Sequence, residues 1–87
     1  METLNIKTDQ PGPDYAAALE LANEKAGEHL DDPMLLAWND RDKGRFFPNI
    51  QCDITGEDEP AWVVYARERG ATLRVEVNDG VFTFLYI

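Results

Sequence analysis

The stretch Leu73-Arg74-Val75-Glu76-Val77-Asn78-Asp79-Gly80-Val81-Phe82-Thr83-Phe84-Leu85-Tyr86-Ile87 decides the fold. Leu73, Val75 and Val77 alternate with Arg74, Glu76 and Asn78, the period-two pattern of a strand with one buried face. Asp79-Gly80 then supplies the positive backbone angles that a two-residue type I′ turn requires. The segment therefore predicts an antiparallel hairpin in which Val77 faces Phe82, Val75 faces Phe84 and Leu73 faces Tyr86. That register gathers one apolar set on one face, which helices are expected to cover. The second strand is apolar on both sides, as strands covered on both faces are. Its other side, with Val81, Leu85 and Ile87, also needs a cover. The segment from Asn39 to Asp53, carrying Phe46 and Phe47, is one candidate and a second copy of the chain is the other.

Upstream of the hairpin, Glu57-Asp58-Glu59-Pro60 places three carboxylates and a proline where a helix begins, favourable for the positive end of its dipole. A helix over Pro60 to Arg69 follows, with Trp62, Tyr65 and Ala66 as its inner stripe and Gly70 as its terminating residue. Before it, Met34-Leu35-Leu36-Ala37-Trp38 reads as a buried strand. Asn39 to Asn49 reads as a charged loop anchored by Phe46 and Phe47, and Ile50 to Ile54 as a short extended piece. Nearer the start, Tyr15, Leu19, Ala22, Ala26 and Leu30 recur at helical spacing after Pro13-Asp14, with Glu20, Glu24 and Glu28 on the opposite face. Thr3 to Thr8 alternates like a short strand. The expectation is one α+β domain over residues 1–87. Its order is β-α-β-(β)-α-β-β, with both helices packed on one face of a small, mainly antiparallel sheet.

Eight basic against 17 acidic side chains give 8 − 17 = −9, which disfavours phosphate backbones and anionic membrane surfaces. The positive residues Arg41, Lys43 and Arg45 are interleaved with Asp40 and Asp42. Cys52 is the single cysteine, so no internal disulfide forms. The start of the chain shows no basic leader or apolar run of secretory length, and a cytoplasmic setting is expected.

The blocks Asp32-Pro33-Met34-Leu35-Leu36-Ala37-Trp38-x-Asp40-Arg41 and Trp62-x-x-Tyr65-Ala66-x-x-Arg69-Gly70-Ala71, with Val77-Asn78-Asp79-Gly80 near the end, resemble a small prokaryotic family. It is a domain-of-unknown-function family, and the resemblance runs from about Ala18 to Tyr86. It implies a compact α+β domain in the cytoplasm and brings no catalytic residues to transfer.

No motif in the chain specifies a reaction. Cys52 could act as a nucleophile with His29, the single histidine, but the two lie on separate elements and Asp53 would raise a neighbouring thiol's pKa. A buried structural thiol is the favoured reading. His29 sits where a helix ends, a position that favours a cation, with Asp31 or Asp32 as partners. Asp40, Asp42, Asp53, Glu57, Asp58 and Glu59 do not make an EF-hand: counted from Asp40, the sixth position is Arg45 and the twelfth Gln51. No metal or cofactor is expected. Trp38, Asp40, Arg41, Cys52 and Trp62 form the candidate ligand pocket, and Val81, Leu85 and Ile87 the candidate interface. The function that follows is a non-enzymatic protein-interaction module, a homodimer or the binder of another protein. A small enzyme or a ligand or metal sensor using the Trp38 to Asp53 loop is the alternative.

Overall fold

The computed structural model describes residues 2–8, 14–48 and 60–87. Its elements are β1 (Glu2–Ile6), α1 (Tyr15–His29), β2 (Leu35–Asp40), β3 (Arg45–Phe47), α2 (Ala61–Glu68), β4 (Leu73–Val77) and β5 (Phe82–Tyr86). The strands form one open sheet in the order β1-β4-β5-β2-β3. β1 runs parallel to β4, and the other pairings are antiparallel. The α+β class is the one the sequence predicts, and the order of elements matches it roughly, the third strand lying at Arg45–Phe47 where a loop is expected. The extended piece expected over residues 50–54 lies outside the described residues.

The β4–β5 hairpin has the expected register, Val77 opposite Phe82, Val75 opposite Phe84 and Leu73 opposite Tyr86. Asp79 at φ 58° and Gly80 at φ 90° make the turn, closed by the Val81 N–H donating to the Asn78 carbonyl over 3.3 Å. Glycine suits the second position, because a Cβ there would strain the backbone and meet the Glu76 carboxylate at 3.1 Å. Asn78 is also left-handed, at φ 53°, a conformation that asparagine tolerates better than most residues. It fastens β1 to the hairpin: its N–H donates to the Ile6 carbonyl over 2.8 Å, and its side-chain oxygen accepts from the Thr8 N–H over 3.0 Å.

α1 opens on Asp14, whose carboxylate accepts from the Ala17 N–H over 2.9 Å. Ala18, Ala22 and Ala26 form its fully buried stripe. Such small side chains let the helix lie close to Leu73, Val75, Val77, Phe82, Phe84 and Tyr86 on β4 and β5. α2 packs elsewhere. Trp62, Val63 and Ala66 cover Ala37 and Leu85 in a second cluster. Leu85 alternates with Phe84 and Tyr86 along β5, so its side chain emerges on the opposite side of the sheet. The helices therefore flank the sheet on its two faces, a correction to the expectation that both share one. Helical periodicity says which side of a helix is apolar, whereas the connection from β3 to β4 decides which face it reaches. Within α2, Val63 takes the inner position expected of Tyr65. Tyr65 instead lies beneath the Arg69 guanidinium, 3.6 Å from the ring centroid.

Where the α1 layer meets solvent, the buried Tyr86 donates its hydroxyl to the side-chain oxygen of the exposed Asn23 over 2.6 Å. Burial, and secondarily the neighbouring Tyr15, push the Tyr86 phenol well above its ordinary 10.0. Because the folded value exceeds the unfolded one, the corresponding stability is fully present below the unfolded pKa and is lost as pH rises through the folded one. Melting temperature should therefore hold to about pH 10 and then fall. Tyr86→Phe should melt lower at neutral pH, by about 1 kcal/mol of stability, and lose less between pH 9 and 11. Parallel declines in the two proteins over that interval would remove Tyr86 as the titrating group.

Candidate functional site

The sheet ends at β3, and among the described residues no strand lies beyond it. β3 exists because Arg41-Asp42-Lys43-Gly44 folds into a tight turn. The Gly44 N–H donates to the Arg41 carbonyl over 3.3 Å, and Gly44 sits at φ 63°, which favours glycine. Asp40, almost wholly buried, braces this turn. One carboxylate oxygen accepts from the Lys43 N–H over 3.3 Å, and the other lies 3.4 Å from the Arg45 guanidinium. A backbone N–H and a guanidinium thus satisfy an acid that burial would otherwise penalise.

Across the hairpin, Trp38 pairs with Phe47, Asn39 with Phe46 and Asp40 with Arg45. Strand alternation puts Phe47 and Arg45 on the α1 face and Phe46 on the α2 face. Neither helix covers them. Phe46 is 37% exposed and Phe47 49%, one on each side of an edge strand. Tyr15 closes over Trp38, ring centroids 4.6 Å apart, so the aromatic surface runs from the α1 layer out to Phe47. Arg41, Lys43 and Arg45, three of the chain's 8 basic residues, lie at this edge. The site is an aromatic edge whose adjoining turn mixes Arg41, Lys43 and Arg45 with Asp40 and Asp42.

The residues singled out from sequence are not brought together into a pocket. Trp38 belongs to the α1 layer and Trp62 to the α2 layer, so the sheet separates them. Asp40 braces a turn, Arg41 is exposed, and Cys52 lies outside the described residues, as do Asp53, Glu57, Asp58 and Glu59. Val81, Leu85 and Ile87 do not share an exposed patch either. Leu85 is 0% exposed beneath α2, so the cover sought for the outer side of β5 comes from within the chain. Val81 is half-buried at the hairpin turn, and its carbonyl accepts from the Arg41 N–H over 3.0 Å. Ile87, 40% exposed, lies at the far end of β5, paired through its backbone with Met34. His29 ends α1 as expected, with Glu2 as its neighbour at 3.9 Å, in place of Asp31 or Asp32. Among the described residues no group of three or more His, Cys, Asp or Glu side chains could hold a metal ion, and no helix is long and apolar enough to cross a membrane.

The edge strand itself escaped the sequence reading, which made Phe46 and Phe47 loop anchors. The signal was available in the pairs flanking Arg41-Asp42-Lys43-Gly44: Asp40 with Arg45 by charge, and Trp38 with Phe47 by aromatic character.

These features define a small α+β protein, a five-stranded mixed sheet flanked on both faces, with two exposed aromatic rings on an edge strand. The family model described as "Domain of unknown function (DUF5619)" matches residues 1–86, and the chain belongs to that family. It is also similar to a solved structure, the crystal structure of AF1514, a novel protein from Archeoglobus fulgidus DSM 4304. The two are 29% identical with a TM-score of 0.82, over 100% of this chain and 93% of that one. No curated protein matches the chain.

Proposed function

We propose that this chain is a non-catalytic cytoplasmic interaction module that self-associates through the outer edge of β3. The observation that carries the reading is the exposure of Phe46 and Phe47 on opposite sides of an edge strand. Soluble proteins usually guard such edges with charge, proline or a covering segment, because an open edge templates pairing with another chain. Here Arg45 and Pro48 bracket the two rings without covering them. A second copy offers the same backbone groups and the same rings, so one contact pairs the edge and removes apolar surface from water on both faces of the sheet. The net charge of −9 opposes the approach of two copies, which keeps the association selective and makes it tighten as salt screens the repulsion.

Sedimentation or light scattering over a wide concentration range tests this. The wild-type chain should pass from monomer to dimer, and Phe46→Lys should remain monomeric with an unchanged far-ultraviolet spectrum. A wild-type mass that stays monomeric at every concentration overturns the proposal.

A further inference from the structure

Resting on that reading of the β3 edge, we infer that the two copies join as one continuous sheet about a two-fold axis through Phe46, each Arg45 facing the partner's Phe47. The backbone directions come first. The Arg41 N–H donates to the carbonyl of Val81, the residue before β5, over 3.0 Å. Because these directions alternate along a strand, Asp40 and Trp38 turn their N–H and C=O groups toward β3. Their partners Arg45 and Phe47 turn theirs back toward β2. Phe46 is left with its N–H and C=O aimed outward.

Symmetry then restricts the register. A two-fold axis perpendicular to the sheet keeps both α1 layers on the same side, so facing side chains must belong to the same face. The axis therefore passes through a residue pair. Centred on Arg45, it sets two guanidinium groups against each other. Centred on Phe47, it brings Pro48, which has no N–H, opposite the outward groups of Phe46. Centred on Phe46, the two Phe46 residues exchange a pair of N–H···O bonds, and on the α1 face each guanidinium meets one phenylalanine ring of the other copy, two such contacts in all. Arg45 is set for this contact: Asp40 steadies it from within at 3.4 Å while its side chain remains 57% exposed. A row Asp40, Arg45, the partner's Phe47, the partner's Trp38 then crosses the junction, and its mirror in sequence crosses back. The order Arg45-Phe46-Phe47 is self-complementary in this register alone.

Two substitutions at one exposed position test the register, with dimer dissociation measured by sedimentation and folding checked by circular dichroism. Phe47→Glu places a carboxylate opposite the partner's Arg45, whereas Phe47→Arg places a second cation there. The Glu variant should dimerise roughly tenfold more tightly than the Arg variant. Overall charge predicts the reverse, since −9 − 1 = −10 for Glu and −9 + 1 = −8 for Arg, and the less charged copies repel less. Equal loss in the two variants, or tighter association of the Arg variant, overturns the axis while wild-type dimerisation still stands. A wild-type chain that never dimerises overturns both the axis and the function it rests on.

Discussion

Leu85→Ala is expected to lower the free energy of unfolding by about 3 kcal/mol, within the range found for large-to-small changes at buried aliphatic positions. Among the described residues, Leu85 is the one large fully buried side chain that the sheet contributes to the α2 layer. Around it are Ala37 from β2 and Trp62, Val63 and Ala66 from α2, with Leu36 and Ala71 at the margin. Three of these are alanines that cannot swing inward to refill the space, so the cavity beneath Trp62 persists. α2 has 8 residues. Isolated helices of fewer than about 12 residues are marginal in water, so this one depends on its contact with the sheet. The loss is large against the roughly 5 to 15 kcal/mol that stabilises an ordinary small domain. Urea titration followed by far-ultraviolet circular dichroism reads it as a lower midpoint at unchanged slope. The self-association proposed for the edge of β3 should survive at concentrations where the variant is folded. A cost below about 1 kcal/mol would mean that α2 does not rest on Leu85.

The contrast between this result and the expected role of Leu85 as an interface residue marks where sequence stops informing. An apolar residue between Arg74 and Ala37 in the sheet must be covered, and the alternation of β5 makes that need legible. What covers it depends on the path of the chain between β3 and β4, which no local pattern encodes. The same limit undid the candidate pocket, since Trp38 and Trp62 each read correctly as partners of a core but of different cores. Local chemistry was far more informative. Asp79-Gly80 and the flanking alternation set the β4–β5 register, and Asp14 with its following apolar spacing set the start of α1. β3 failed for want of length: Arg45-Phe46-Phe47 is too short to display a period, and Gly44 and Pro48 on either side read as loop chemistry. The candidate site was thus half legible, its residues named and their conformation missed.

Phe84→Ala should cost about 4 kcal/mol, more than Leu85→Ala, and should loosen the opposite layer. Phe84 lies at the centre of β5, between Val75 on β4 and Trp38 on β2, with Tyr15 6.0 Å away, centroid to centroid, and Phe82 at 6.3 Å. The fully buried α1 residues above this layer are alanines, which have no atoms with which to fill the space a phenyl ring leaves. The variant should also change the fluorescence of Trp38, which loses its cross-strand neighbour and the ring that helps position Tyr15. Native-state hydrogen exchange distinguishes the layers. Phe84→Ala should accelerate exchange most in α1, and Leu85→Ala most in α2, because consecutive residues of one strand serve helices on opposite faces. Such reciprocity is possible only if each helix holds to the sheet through its own cluster. If either substitution released both helices equally, the two clusters would form a single cooperative unit, and the assignment of one support to each helix would fail.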